Sequence, residues 1–384
     1  MIDVAPTIGA RARAQSPDAG VRFALEPIGD PAPLWRRLEA HAAPSFFQSW
    51  DWIGPWLACL PPDRERALVV GRRDGAVVAL GVLVFGQRRR LGVGAIRTAH
   101  LNDSSAPDER TPTIEHNGLL LAPGVGPAAT RDFARWVVTE LADELVIPGT
   151  AAAPLGRGVV GAAQVVPAPF VDLAGLRATS YRDTLSPNTR AQLRRALRDY
   201  GGDGALDLRA AGDAAEARRF LDRLAVLHQA RWTARGQPGA FASRFFCRLH
   251  ETLIERGAAT GAVELLRITA RGIEIGYLYH LVRDRWIAAY QNGFAYESGN
   301  RSKPGLVCHT LAIERWAAAG GRRYDFLAGM NQLKQSLASE QEILNWWVVK
   351  PARFDTRLEY AIRSLKSRLN QIGAKTTKNT ILSP

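Results

Sequence analysis

Apolar residues in this chain collect into runs of strand length divided by basic, glycine-bearing turns, and the arrangement occurs twice. In "ALVVGRRDGAVVALGVLVFGQRRRLGVGAIRTA" the turns "RRDG" and "QRRRLG" predict strand, turn, long strand, turn, strand. Residues 114–121 read as a further strand and residues 128–145 as a helix. In the second half, "VELLRITARGIEIGYLYHLVRDRWIAAYQNGFAYE" gives three strands around "ARG" and "RD". The segment "NRSKPGLVCHTLAIERWAAAGGRRYDFLAG" then passes from a small, basic loop through an apolar-periodic helix into a short strand that carries an acid. "LVVGRRDGAVVALGVLVF" and "LLRITARGIEIGYLYHLV" share one plan: an apolar strand, a basic turn with glycine, and a longer strand with an internal glycine. The repeated order implies an old duplication and two related α/β halves.

Polar and proline positions set the remaining elements. "FFQSWDWIGPWLACL" predicts a packing helix entered after Ser45 or Ser49 and kinked at Pro55. "TLSPNTRAQLRRALRDYGG" predicts a helix with Ser186 as N-cap, Pro187 at its first position and Gly201 at its end. On it Arg190, Arg194 and Arg198 share one face, Leu193 and Leu197 another. Helices follow in "DAAEARRFLDRLAVLHQARWTARG" and "ASRFFCRLHETLIERG", while the small, Pro/Gly-punctuated residues 151–169 read as a connection or short strand region. Residues 1–20 read as a polar, disordered leader. From Phe354 to Leu369 an apolar stripe runs among Arg353, Arg357, Arg363, Lys366 and Arg368, a basic amphipathic helix that packs on the domain or touches a membrane. The division expected is therefore a leader (1–20), an N-terminal half (21–175), a C-terminal half (176–350) and a basic tail (351–384).

Length and composition narrow the class. The chain has 384 residues, 46% apolar and 23% charged, enough for two ordinary cores. Its longest apolar run, residues 76–86, is too short to cross a bilayer, and no signal architecture opens the chain, so a cytoplasmic protein is expected. Cys59, Cys247 and Cys308 have neither disulfide-framework nor zinc-ligand spacing, and Cys308 and His309 read as packing residues. A net charge of +13 favours an anionic partner: a phosphate-bearing cofactor, nucleic acid or acidic lipid.

Five stretches, "LSPNTRAQLRRALRD", "LHQARWTARGQPGAF", "YQNGF", "SKPGLVCHTLAIERWAAAG" and "RRYDFLAG" with a following lysine, occur in the order seen in the bacterial acyltransferases called CelD-like or BioF2-like. The chain resembles that family, part of the GNAT superfamily and related to the FemAB peptidyltransferases, over about residues 46–350. The resemblance implies tandem GNAT-like domains, each a mixed, mostly antiparallel central sheet flanked by helices. It also implies an N-acyltransferase moving an acyl group from a coenzyme A thioester, or an acyl carrier protein thioester, to a primary amine of a small-molecule or sugar acceptor, with no metal. One departure is that "MNQLK" stands where relatives carry acids and a tyrosine before the lysine.

In such a fold the strands flanking the quoted helix part, freeing backbone groups for a pantetheine arm and placing its pyrophosphate at the helix start. The residues offered there are Arg301, Ser302, Lys303, Gly305 and Leu306. An amine must lose a proton and attack a carbonyl, with the oxyanion held by a strand N–H. Asp325 is the first candidate base or amine-orienting group: alternation puts it opposite Tyr324 and Phe326, and burial is expected to raise its pKa, unless it forms a salt bridge with Arg323 or Lys334. His228 is the second, beside Arg231 and Trp232, with helix packing as its other reading. Tyr290 and Gln291 could line the acyl channel, and Lys334, matching the family lysine, binds an acceptor carboxylate or donor phosphate, or is solvated. Two rivals stand. One is a FemAB-like transferase using aminoacyl-tRNA, which the lack of a long helical arm argues against; the other is a non-catalytic module binding nucleic acid or an anionic membrane surface, although a nucleic-acid partner is not the expectation.

Overall fold

The duplication is written into the order in which the strands pair. The computed structural model describes residues 20–90, 94–104, 114–176, 180–296 and 302–352, so residues 1–19 of the leader, Arg301 and residues 353–384 of the basic tail lie outside the described residues. Among the described residues thirteen strands form one continuous mixed sheet. The first half supplies β1 (Arg22–Glu26), β2 (Arg66–Arg73), β3 (Ala76–Arg90), β4 (Gly94–Leu101), the short β5 (Leu120–Leu121), β6 (Glu144–Thr150) and β7 (Val159–Asp172). The second supplies β8 (Leu206–Ala210), β9 (Val263–Ala270), β10 (Ile273–Arg283), β11 (Trp286–Phe294), β12 (Arg323–Asp325) and β13 (Glu340–Pro351). In each half four strands pair antiparallel in sequence order, and the last of them, β4 or β11, pairs parallel with the next strand, β6 or β12. The two final strands are exchanged: β7 pairs with β12, β13 pairs with β6, and the two run antiparallel to each other at the centre from Glu340↔Phe170 to Pro351↔Val159.

Helices cover both faces. On one face α1 (Ala32–Glu39) and α2 (Trp50–Cys59) of the first half, with α6 (Ala214–Thr233) and α7 (Arg244–Gly257) of the second, share a single core in which Trp35, Trp52 and Trp56 join Phe220, Phe246, Tyr279 and Tyr290. On the other face α3 (Ala128–Trp136) covers the first half, and α4 (Tyr181–Thr184), α5 (Pro187–Asp199) and α8 (Pro304–Ala318) cover the second, with α9 (Gln332–Leu337) beside them. The α5 start is as expected: Pro187 opens it and the Ser186 hydroxyl accepts from the Thr189 amide at 3.2 Å. Ser45 caps a single 3-10 turn, Ser49 stands at the N-cap of α2, and Pro55 lies inside that helix.

Tertiary pairing overrode the local pattern in three places. Only Leu120–Leu121 of residues 114–121 is strand. The helix predicted to residue 145 ends at Trp136, continues as a π turn over Val137–Leu141, and gives way to β6. Most of residues 151–169 belong to β7, a long central strand despite its Ala, Gly and Pro content, because β13 pairs with it from Val159 to Phe170 and the carbonyls of Pro167 and Pro169 accept from Gly329 and Phe326. No described helix is long and apolar enough to cross a membrane.

Candidate active site

The two parallel strands of the second half stay together for three residue pairs, Trp286↔Arg323, Ile287↔Tyr324 and Ala288↔Asp325, and then part. After Asp325 the Phe326 amide turns to the Pro169 carbonyl and Leu327 takes a left-handed φ of 61°, so the chain leaves the sheet. β11 continues to Phe294 with β10 as its one strand partner among the described residues, and the register slips between Tyr279 and His280, leaving Tyr290 as a bulged residue. α8 starts at this open end. A Cβ on Gly305 would stand 2.9 Å from Leu333 Cδ2 and 3.1 Å from Phe294 Cε2, so the first turn is wedged between the end of β11 and α9.

The residues offered from the sequence gather around this parting, in varied roles. Ser302, Gly305 and Leu306 are buried; Lys303 has φ 41° and donates from Nζ to Gln192 Oε1 at 2.5 Å. The Leu306 amide already bonds the Lys303 carbonyl at 3.0 Å, and the missing side chain of Gly305 answers to the packing of Phe294 and Leu333. Trp232 is exposed, and the Arg231 guanidinium lies 4.2 Å from the Tyr296 ring centroid just past the end of β11. Gln291 is half-buried and Tyr290 buried, its hydroxyl pushed well up by burial, with further repulsion from Tyr279 and Glu115. His228 packs between Trp232 and Phe241, with Nδ1 3.3 Å from the Asn292 carbonyl and Nε2 accepting from the Ala240 amide at 3.5 Å; burial lowers its pKa. Cys308 and His309 are buried, the latter 2.8 Å from the Tyr324 hydroxyl.

Asp325 departs from expectation. Burial alone works to raise its pKa, but the His116 imidazole at 3.1 Å, the Arg323 guanidinium at 2.8 Å and the Leu327 amide at 2.8 Å outweigh it and hold the carboxyl below its ordinary value. Trp286 Nε1 adds a fourth donor at 3.1 Å. The salt bridge with Arg323 is thus present. His116, Asp325 and Glu342 bring potential metal ligands within 4.8 Å of one another. Arg323 contacts both carboxylates, however, so the protein itself supplies the cation there. Lys334 is not solvated: its Nζ donates to the Leu327 and Ala328 carbonyls at 3.1 and 2.9 Å, and burial lowers its pKa against the opposing pull of Glu115 and Asp325.

Sequence reasoning missed Glu115 and His116. Glu115 is 5% exposed and accepts from the Ala328 amide. Burial raises its pKa to about 7, against the lowering influence of that amide, Lys334 and His116. Both residues come from the first half, where their loop fills the space equivalent to the parting of β11 and β12. β4 and β6 pair only from Thr98↔Glu144 to His100↔Val146. Beyond, Asn117 spans the gap, its amide donating to the Gly149 carbonyl at 3.0 Å and its Nδ2 to the Leu101 carbonyl at 2.9 Å. Gly149 has φ 60°, and a Cβ there would sit 2.3 Å from the Ile114 carbonyl oxygen. The signal in the sequence was "EHNG", four polar or small residues inside a segment read as an apolar strand. A cavity of about 220 Å³ borders His116 at the junction, lined by Ser45, Phe47, Arg283, Trp286 and Ala288 among others.

Comparison with known proteins bears on the same region. Residues 187–335 match the family model described as acetyltransferase (GNAT) domain. No curated protein sequence matches the chain. Among solved structures, FemX aligns with a TM-score of 0.52 at 10% identity, over 85% of this chain and 96% of its own. The C-terminal domain of a protein named as a lysylphosphatidylglycerol synthetase, from Agrobacterium fabrum, aligns with a TM-score of 0.50 at 10% identity, over 88% and 96%. A tandem GNAT protein from the clavulanic acid biosynthesis pathway aligns with a TM-score of 0.41 at 13% identity, over 87% and 99%. Residues 187–335 thus match a GNAT acetyltransferase domain, and the parting of β11 and β12 lies inside that segment.

Proposed function

We propose that the protein is an N-acyltransferase that takes an acyl group from a coenzyme A thioester and gives it to a primary amine of a small-molecule or sugar acceptor. The observation that carries this reading is the parting of β11 from β12 beside the start of α8, within the segment matched by the GNAT family model. The backbone of β11 past Ala288 has no strand partner on that side among the described residues. We assign the pantetheine arm to this side of β11, where its amides would pair with strand groups as another strand would, beside the Asn292 carbonyl that His228 meets. The pyrophosphate is assigned to the turn around Ser302 and Lys303, where the chain's net charge of +13 assists it. An acyl carrier protein would present the same arm.

The reaction follows from that placement. The amine attacks the thioester carbonyl, the oxyanion meets a backbone N–H of the parted β11, and the tetrahedral intermediate collapses with loss of the thiol. No protein nucleophile is needed. Trp232 and Arg231 form the rim, and Tyr290 and Gln291 the wall. Asp325 and His228 organise their surroundings, since each already holds the partners described above. Lys334 fixes the loop at Leu327 and Ala328 and brings positive charge to the opening. The junction cavity is assigned to the acceptor. We place the activity in the cytoplasm, in keeping with three free cysteines.

A second reading keeps the chemistry and changes the donor to an aminoacyl-tRNA ester. Arg194 and Arg198 are exposed on α5, although Arg190 is turned back onto the carbonyls of Asp183 and Leu185. Native mass spectrometry with a panel of acyl-CoAs, followed by thiol release on adding an amine panel, tests both. Retention of an acyl-CoA and amine-dependent thiol release are expected. Deacylation of charged tRNA without thioester binding would move the assignment to the second reading.

A further inference from the structure

An amine that attacks a thioester needs a group to take its proton, and the two residues first offered for that work are committed elsewhere. Asp325 is wrapped by His116, Arg323, Trp286 and the Leu327 amide, and His228 is held between the Asn292 carbonyl and the Ala240 amide. We propose that Glu115, delivered by the N-terminal half across the junction, is the catalytic base of the C-terminal site. This rests on the acyl-transfer reading above.

Position is the first support. Glu115 Oε2 accepts from the amide of Ala328, in the loop by which the chain leaves β12, and the carboxyl lies within electrostatic reach of Tyr290, the bulged residue of the parted β11. It therefore stands at the loop that leaves β12, beside the parting of β11 and β12. The second support is the way the residue is held. Asn117 ties the loop to both diverging strands of the first half, Asn102 Nδ2 donates to Asn117 Oδ1 at 3.0 Å and to the Gly118 carbonyl at 2.9 Å, and Ser45 Oγ donates to the His116 carbonyl at 2.8 Å. A loop fastened on this scale fixes a side chain within the tolerance that proton transfer requires.

Charge is the third support. The titratable groups facing the carboxyl are Lys334 from α9, His116 from its own loop, Asp325 from β12 and Tyr290 from β11. Desolvation dominates this set and brings the carboxyl to about 7, so both protonation states are populated near neutrality. A single backbone amide could be satisfied equally by a glutamine, so the ionisable group is not needed for the hydrogen bond. The step balances. Glu115 takes the proton from the attacking nitrogen as the C–N bond forms, and returns it to the sulfur as the C–S bond breaks, giving amide and free thiol.

Glu115→Gln keeps the shape and an acceptor for the Ala328 amide. At pH 7 its kcat/KM is expected to fall about 10²- to 10³-fold, with acyl-CoA retention by native mass spectrometry unchanged. The rise of activity with pH centred near 7 is expected to vanish with it, and Glu115→Asp to restore part of the rate. A Glu115→Gln enzyme that keeps wild-type rate and the same pH limb overturns the assignment and leaves the acyl-transfer reading standing. A second readout needs no turnover: difference infrared titration of wild type against E115Q. A protonated carboxyl band lost around pH 7 is expected, and its loss in the ordinary carboxylate range overturns the proposal even where no donor or acceptor in the panels reacts.

Discussion

Glu115 leaves a thermodynamic mark apart from catalysis. Its folded pKa of about 7 stands above the ordinary carboxyl value of 4.5, so between those values the unfolded chain has lost the proton and the folded one has kept it. The group's stabilising contribution is complete below the lower value and is lost as pH rises through the upper one. Wild type is therefore expected to lose up to about 3 kcal/mol relative to Glu115→Gln across this window. Urea midpoints of the two proteins measured at several pH values check this, and a constant difference between them would contradict the buried-acid assignment. His250 and His309, each brought down to about 3 by burial, act in the opposite sense, adding stability above their ordinary value that is lost in acid. The comparison with E115Q removes them because both proteins contain them. The Asp325 salt bridge was legible in the sequence only as one of two readings, with Arg323 or Lys334 as partner, and the structure has it with Arg323. Glu115 was not legible, because what defines its chemistry, Ala328 and Lys334, lies some two hundred residues away.

Two glycines separate close backbone approach from ordinary packing at the level of the loop and helix. At Gly149 a Cβ would meet backbone, 2.3 Å from the Ile114 oxygen and 2.8 Å from the Glu115 Cα, and φ is already 60°. Gly149→Ala is expected to cost about 2–4 kcal/mol and, by moving the loop that carries Glu115, to lower kcat more than it raises the KM for donor. At Gly305 the Cβ would meet only side chains, those of Leu333 and Phe294. Gly305→Ala is expected to stay within about 1 kcal/mol of wild type, since the gain in helix propensity offsets the contact. It should leave donor affinity unchanged. Thermal unfolding with steady-state kinetics distinguishes the pair. The Pro-Gly entry of α8 was visible in the sequence. The filling of the first half's gap by residues 114–118 was not, because its cause is the hydrogen bonding of Asn117 to two distant strands.

At the scale of the molecule, the duplication was readable from hydrophobic pattern, whereas the exchange of final strands was not, since it is decided by which distant edges pair. Its consequence is that each half is completed by the other. Val349, near the end of β13, is fully buried in the core of the first half with Phe133 and Leu145, and Val171, near the end of β7, is fully buried in that of the second with Ile287 and Tyr324. Removing either side chain's methyl groups should therefore weaken the whole sheet. Val349→Ala and Val171→Ala are each expected to lower stability by about 2 kcal/mol. Both should shift one urea transition seen identically by tryptophan fluorescence and far-ultraviolet circular dichroism. Two separated transitions, with each variant moving only one, would mean that the halves fold alone and that β7 and β13 add nothing to their neighbours. A single transition would instead explain how the first half can hold a carboxyl rigidly over a reaction centre built by the second.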